Sequence, residues 1–230
     1  MLRRWSAAHR STVSLALRAV LACGVVGASA AVADRAAGQD NDLVRQCQGA
    51  LGDPFDADAA IATCTRAIEY QGTSPHGRAV AYASRALARQ FKDPLDTNGL
   101  ILADCDAAIA SDPSVAEAYF VRGTLMSAER SGWASQERLP DLDHAIALNL
   151  RAQFLPYAYA RRAVIHSMRG TREKNNDQLR LAVRDLDEVI RLRPNDAFYY
   201  GERARIEKEL GDNAAAQDDF ATARQLGANQ

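Results

Sequence analysis

Residues 197–227 read AFYYGERARIEKELGDNAAAQDDFATARQLG, and this stretch decides the fold. Tyr200 is followed three positions later by Arg203 and the small Ala204; Gly211-Asp212 then breaks the stretch, and Asp219-Phe220 answers in its second half. Apolar and small residues recur at spacings of three and four on both sides of the break, with no sustained alternation at two, so both halves read as helices. A link this short makes them antiparallel neighbours.

Working upstream, the phrase returns three times. Tyr159, Arg162 and Ala163 are answered by Asp185 and Leu186; Tyr119, Arg122 and Gly123 by Asp141 and Leu142; Tyr82, Arg85 and Ala86 by Asp104 and Cys105. A unit stated four times is a repeat array, in which each helix pair buries its apolar side against its neighbours. Pro75, Pro113, Pro156 and Pro194 fall near the junctions between pairs. First helices are expected from about His76, Ser114, Phe154 and Asp196, and second helices from about Asn98, Gln136, Asn176 and Asn213. Two earlier segments, 42–50 and 58–70, flank Gly52-Asp53-Pro54 and supply a degenerate first pair. The expected class is all-α, a solenoid of about four full helix pairs plus that degenerate one.

Composition agrees, with abundant Ala for close helix contacts and only 7% aromatic residues. The formal net charge of −1 conceals an asymmetry: residues 1–33 contain no acid but hold Arg3, Arg4, Arg10 and Arg18. The remainder is mildly acidic, which argues against nucleic acid as a partner. The Arg-bearing start, the uncharged run from Ala19 to Ala33 and the closing Ala31-Val32-Ala33 have the layout of a secretory signal peptide, with cleavage expected after Ala33. Two alternatives stay open. Val20-Leu21-Ala22-Cys23 loosely resembles a lipid-attachment site, although Leu21 fits it poorly, and an uncleaved anchor would need about 20 apolar residues. The organisation expected is therefore a signal over 1–33, a polar linker over 34–41 and a helical repeat domain over 42–230. The destination is periplasmic or secreted, with no stable membrane span once the signal is removed.

An oxidising destination changes the reading of the cysteines, because thiols can pair there. Cys23 leaves with the signal, and two antiparallel helices joined at Gly52-Asp53-Pro54 can bring Cys47 to Cys64. That pairing is expected as a disulfide stapling the end of the array that lacks one neighbour. Cys105 stands where later units have Leu142, Leu186 and Phe220, so it reads as a small buried hydrophobe.

Each Arg of the phrase shares a helix face with its Tyr and small residue. We expect Arg85, Arg122, Arg162 and Arg203 to lie at helix seams and to pair with Asp104, Asp141, Asp185 and Asp219 in a structural ladder, the competing reading being ligand-binding arginines on an open face. The Tyr residues read as core packing with hydroxyls at the seam. Acids in close pairs, such as Asp185 with Asp187 and Asp218 with Asp219, read as solvated helix-surface charge.

Catalytic signatures are missing from the sequence. His76 lies in a linker, His144 on an outer helix face and His166 among apolar residues, none at metal-ligand spacing with Cys or an acid. No nucleophile elbow, phosphate-binding Gly loop or HExxH occurs. No cofactor, no metal and no enzymatic activity are expected. Residues lengthening the turns are another matter: 171–180 reads as a stretch that lengthens both flanking helices, and Trp133 lies in 130–138. Trp133 is either a loop contact for a partner or a side chain folded back over a helix end.

The phrase resembles the tetratricopeptide repeat family. Its small positions match Ala86, Gly123, Ala163 and Ala204 on first helices and Ala108, Ala145 and Ala223 on second helices, with Val189 in the remaining one. Its terminal Pro matches Pro113 and Pro194, whereas Leu150, Ile101 and Arg138 depart from the pattern. The resemblance spans Asp42 to Leu226 and implies a right-handed superhelix and a protein or peptide partner held in a groove lined by first helices. The implied groove residues here are Val80, Phe120, Tyr157 and Phe198, joined toward the later units by Arg161, Arg205 and Lys208. A segment with an apolar stretch and an acidic end would complement them. The Asn and Lys clamp of chaperone-binding members is not reproduced at Ala83, Phe120, Ala160 and Gly201. From another class, the chain could be an assembly subunit docking through the Ala-rich helix from Asn213 to Leu226, whose outer edge no separate helix covers. The oligomeric state expected is a monomer or a weak homodimer.

Overall fold

A computed structural model describes residues 42–52, 54–96, 98–125 and 138–227. The expected signal, the linker, Trp133 and the Gln136 helix start lie outside the described residues. Those described form helices joined by turns, with no strand among them. In chain order they are α1 (42–49), α2 (Ala57–Glu69), α3 (Pro75–Lys92), α4 (Leu100–Ser111), α5 (Ala116–Thr124), α6 (Leu139–Ala147), α7 (Leu155–Glu173), α8 (Asn176–Leu192), α9 (Ala197–Leu210) and α10 (Asn213–Gly227).

Local chemistry sets the ends. Asp56 accepts from the backbone of Asp58 and Ala59 to start α2, Ser74 accepts from Gly77 with Pro75 at the first turn of α3, and Asn175 and Asp196 cap α8 and α9. Such caps satisfy amides that the first turn leaves without intrahelical partners. α4 uses a substitute: Asp96, not the adjacent Gly99, accepts from Ile101 and Leu102. α9 stops at Gly211, whose φ of 88° is in the left-handed region that glycine tolerates. The 171–180 stretch extends α7 to Glu173 and starts α8 at Asn176, separated by two residues, Lys174 and Asn175.

Consecutive helices pack as pairs, and each pair packs on the next through α2 with α3, α4 with α5, α6 with α7 and α8 with α9. First helices also touch one another, α3 with α5 and α5 with α7. Small residues permit these approaches, since a Cβ added at Gly123 would come within 2.9 Å of the Leu142 side chain. Leu142 is fully buried, and covering a side chain of that size contributes about 2 kcal/mol. The small residue of the phrase and the apolar residue beside its Asp therefore meet across one pair. Cys47 and Cys64 form a disulfide between α1 and α2, and both are fully buried. Cys105 is a buried free thiol in the core around α3 to α6, and burial pushes its pKa far up, keeping it protonated.

Candidate binding groove

The arginines of the phrase are engaged within the fold. Arg85 donates Nε and Nη2 to the two oxygens of Asp104 at 3.0 and 2.7 Å. The same fork joins Arg122 to Asp141 at 2.8 and 2.7 Å, Arg162 to Asp185 at 3.0 and 2.6 Å, and Arg203 to Asp219 at 2.6 and 2.8 Å. Each guanidinium also lies over its own Tyr ring, from 5.4 Å for Tyr82 and Tyr159 to 5.7 Å for Tyr119 and 5.8 Å for Tyr200. The three-residue spacing of Tyr and Arg thus places the cation on the ring one turn back.

A second contact extends the ladder between units. Nη1 of Arg122 donates to Asp106 at 2.7 Å, that of Arg162 to Asp143 at 2.7 Å and that of Arg203 to Asp187 at 2.6 Å. Each of these acids stands two residues after the ladder acid of the preceding pair, and Nη1 of Arg85 meets Thr65 on α2 at 3.0 Å. Reading the paired acids as solvated charge is therefore corrected for Asp185 and Asp219, which are buried; Asp187 and Asp218 are exposed as expected, Asp187 while also pairing with Arg203. The fork from Asp141 and the bond to Asp106 raise the pKa of Arg122, and Asp219 and Asp187 do the same for Arg203.

Helices α3, α5 and α7 border a hollow of about 640 Å³. Leu87, Gln90 and Phe91 of α3, Phe120 and Thr124 of α5, and Tyr157 and Arg161 of α7 form its wall, completed by Pro94, Gln153, Phe154 and Arg193 from the turns. Phe120 is nearly buried and stacks on Phe154 with ring centroids 5.2 Å apart. Phe91 is 65% exposed, and its ring lies 5.0 Å from Phe55, so the apolar surface runs out of the hollow past the end of α3. Arg193 stacks on the Tyr157 ring at 4.4 Å. Burial, aided by the like charge of Arg138, lowers the pKa of Arg161.

The expected groove residues are brought together only in part. Phe120, Tyr157 and Arg161 line the hollow. Val80 is half-buried against Ala79, Ala83 and Ala118 and stands apart from it. Phe198, 64% exposed, borders a smaller hollow of about 130 Å³ with Ala160, Val164 and Ile206. Arg205 pairs with Glu202 on its own helix, and Lys208 is exposed in the last turn of α9. Phe91, Phe154 and Arg193 were not expected. Phe91 continues the stripe one turn past Leu87 and could have been found by that spacing, whereas Arg193 caps a second helix, where a rule built on first helices does not look.

The histidines among the described residues have ordinary partners. His76 falls inside α3 rather than in a linker and meets Asp112 at 2.7 Å, His144 lies 4.4 Å from the Tyr119 ring, and His166 meets Gln178 at 2.8 Å. Among the described residues no group of three His, Cys, Asp or Glu side chains is placed to hold a metal ion, and no helix is long and apolar enough to cross a membrane.

No family model and no curated protein matches the chain. Solved structures do. PilF of Pseudomonas aeruginosa aligns with a TM-score of 0.60 at 18% identity, over 84% of this chain and 78% of PilF. A double mutant of MamA from RS-1 aligns with a TM-score of 0.57 at 14% identity, over 85% of this chain and 96% of its own. Both have tetratricopeptide-type folds, and the present chain shares that fold.

Proposed function

We propose that this chain is an exported, non-catalytic scaffold that binds a segment of another protein in the groove bordered by α3, α5 and α7. The observation that carries the reading is the hollow itself, whose wall combines Phe91, Phe120, Phe154 and Tyr157 with a few polar groups. Phe91 and Tyr157 are large side chains left open to water beside the buried Phe120, which favours association, since covering them releases water from apolar surface. The ladder supports this division of labour, because its arginines are engaged within the fold and the groove is built from residues that differ between units. Export is supported by the leader-like 1–33 segment and by the Cys47–Cys64 bridge, a bond that persists in oxidising compartments.

Docking through α10 is the weaker reading. The outward residues Ala214, Gln217, Asp218, Ala221, Arg224 and Gln225 are small, polar or charged, and offer no large apolar side chain to a second copy. Site-specific photocrosslinking in the native compartment separates the two. A crosslinker at Tyr157 is expected to trap one discrete protein adduct, lost in a Phe91→Ser background, while one at Ala221 traps none. Adducts from Ala221 alone would overturn the groove reading. Mass spectrometry of the mature N-terminus checks export, with Asp34 expected first.

A further inference from the structure

The turn between α3 and α4 holds a reactive pair. Asn98-Gly99 is the one Asn-Gly step in the sequence, and Asn98 is exposed at the threshold of α4. Its carboxamide makes no hydrogen bond among the described residues, whereas Asn175 caps α8 and Asn213 donates to Gly211. Gly99 has a φ of 66°, and the place where a Cβ would stand is clear of neighbours to 4 Å. Asp96 brackets the pair. Its carbonyl accepts from the Gly99 N–H at 3.0 Å, and its carboxylate accepts from Ile101 and Leu102 at 2.8 and 2.9 Å.

We infer that Asn98 is a site of spontaneous deamidation and that the turn built on Asp96 governs its pace. The Gly99 backbone nitrogen, its proton given up to solvent base, attacks Cγ of Asn98, and the side-chain nitrogen leaves as ammonia with a proton taken from water. Water then cleaves one of the two C–N bonds of the resulting imide ring. Cleavage at Cγ leaves Asp on an unaltered main chain; cleavage at the main-chain carbonyl leaves isoaspartate, with the chain routed through Cβ and longer by one methylene. No oxidant or reductant takes part. Because the Gly99 proton is held by Asp96, the reaction waits on local opening of this exposed turn. The two products then differ in what they do to α4. Asp places a negative charge beside its first turn, where the helix dipole favours one. Isoaspartate lengthens the chain inside the bracket, between Asp96 and the amides that its carboxylate caps. Ile101 is held in the core, so the contact given up is the cap. α4 also carries Asp104, which pairs with Arg85 and Arg89 and connects this turn to the ladder.

The test holds the mature chain in mildly alkaline buffer and follows it by peptide mapping, with an isoaspartyl methyltransferase to label the product. Isoaspartate is expected at position 98 and not at Asn149, Asn175, Asn176, Asn195 or Asn213, none of which precedes Gly. It should form faster as the pH is raised and be absent from Asn98→Ser. Asp96→Gly accepts the φ of 50° found there but removes the capping carboxylate, and it should speed the reaction several-fold. In the isoaspartate fraction, hydrogen exchange over 100–104 becomes about fivefold faster through loss of the cap, whereas Asn98→Asp exchanges like the parent. A folded chain that stays unmodified while a free peptide of residues 93–102 deamidates overturns the inference, because the turn then protects the pair. Isoaspartate formed at the other asparagines as fast as at position 98 overturns it as well. A rate in Asp96→Gly equal to that of the parent overturns the control assigned to the turn.

Discussion

The two ends of the array are closed by different chemistry. At the N-terminal end the Cys47–Cys64 bridge joins α1 to α2, and the ladder position of α2 holds Thr63 where later pairs have Asp. At the C-terminal end Arg203 and Asp219 join α9 to α10 by a bidentate fork. The difference follows from what each pair can supply. α1 covers only 42–49, and a helix of that length is not stable by its own hydrogen bonds. A covalent link holds it regardless of how little surface it buries. α9 and α10 run 14 and 15 residues, bury Tyr199, Ala204, Ile206 and Ala216, and can be held by packing and one ion-pair rung. Between the ends, every Arg of the ladder touches two second helices, its own and the preceding one.

Replacing both bridge cysteines by serine gives the largest effect expected of this comparison. Opening the bridge, which joins residues 17 apart, costs about 3 kcal/mol in the chain-entropy account. Hydrogen exchange should show 42–52 losing protection while 197–227 keeps it. Simultaneous loss at both ends would mean that the array unfolds as one unit and that the ends are not separately secured. Next in size is Arg203→Met, which leaves the buried Asp219 without its fork. Breaking a buried pair costs about 3–5 kcal/mol, and the partial exposure of Arg203 brings the expectation to about 2 kcal/mol, read as faster exchange in α10. Unchanged exchange there would assign the closure of this end to packing alone.

How much of this was legible depended on whether a signal lay along the chain or across it. Helix pairs, their Pro and Gly punctuation, and the partners Arg122 with Asp141 or Arg203 with Asp219 repeat at readable intervals, because each is set by one helix pair. The rungs to Asp106, Asp143 and Asp187 escaped because they join successive pairs, and a second acid two residues after the first looks like solvated charge until the next unit is stacked on it. The wall of the hollow was legible where it follows first-helix spacing, as at Phe120, Tyr157 and Arg161. It was not legible at Phe154 and Arg193, which come from turns and helix ends. Arg205 has the right charge and the wrong neighbour, Glu202 one turn back, whose contact takes up the cation that looked available.

Glu207 is a flaw in the C-terminal rung. Burial first, then the charge of Asp219, pushes its carboxyl above the usual carboxylate range, and Arg203 at 3.8 Å only partly opposes them. A carboxyl raised in the folded chain adds stability below its unfolded pKa and loses it as pH rises through the folded value. At neutral pH the charged form is therefore a liability. Glu207→Gln should stabilise this end by about 0.5 kcal/mol at pH 7, with the gain shrinking as the buffer is taken toward pH 4. A melting temperature lowered at pH 7 would show that the contact with Arg203 outweighs the crowding of acids.

The smallest effect separates an end from a junction. Asp106, Asp143 and Asp187 each receive the Arg of the following pair, and Ala221 occupies the corresponding place on α10. An acid introduced there has no following Arg within the described array to meet, so Ala221→Asp should shift stability by less than about 0.5 kcal/mol, as exposed substitutions usually do. Its mass by light scattering should also stay that of the parent. The outcome that breaks the comparison is a rise in mass with Ala221→Asp that is reversed by high salt. A new carboxylate would then be recruiting an arginine from a second copy, and α10 would be a junction lacking one charge rather than a closed end.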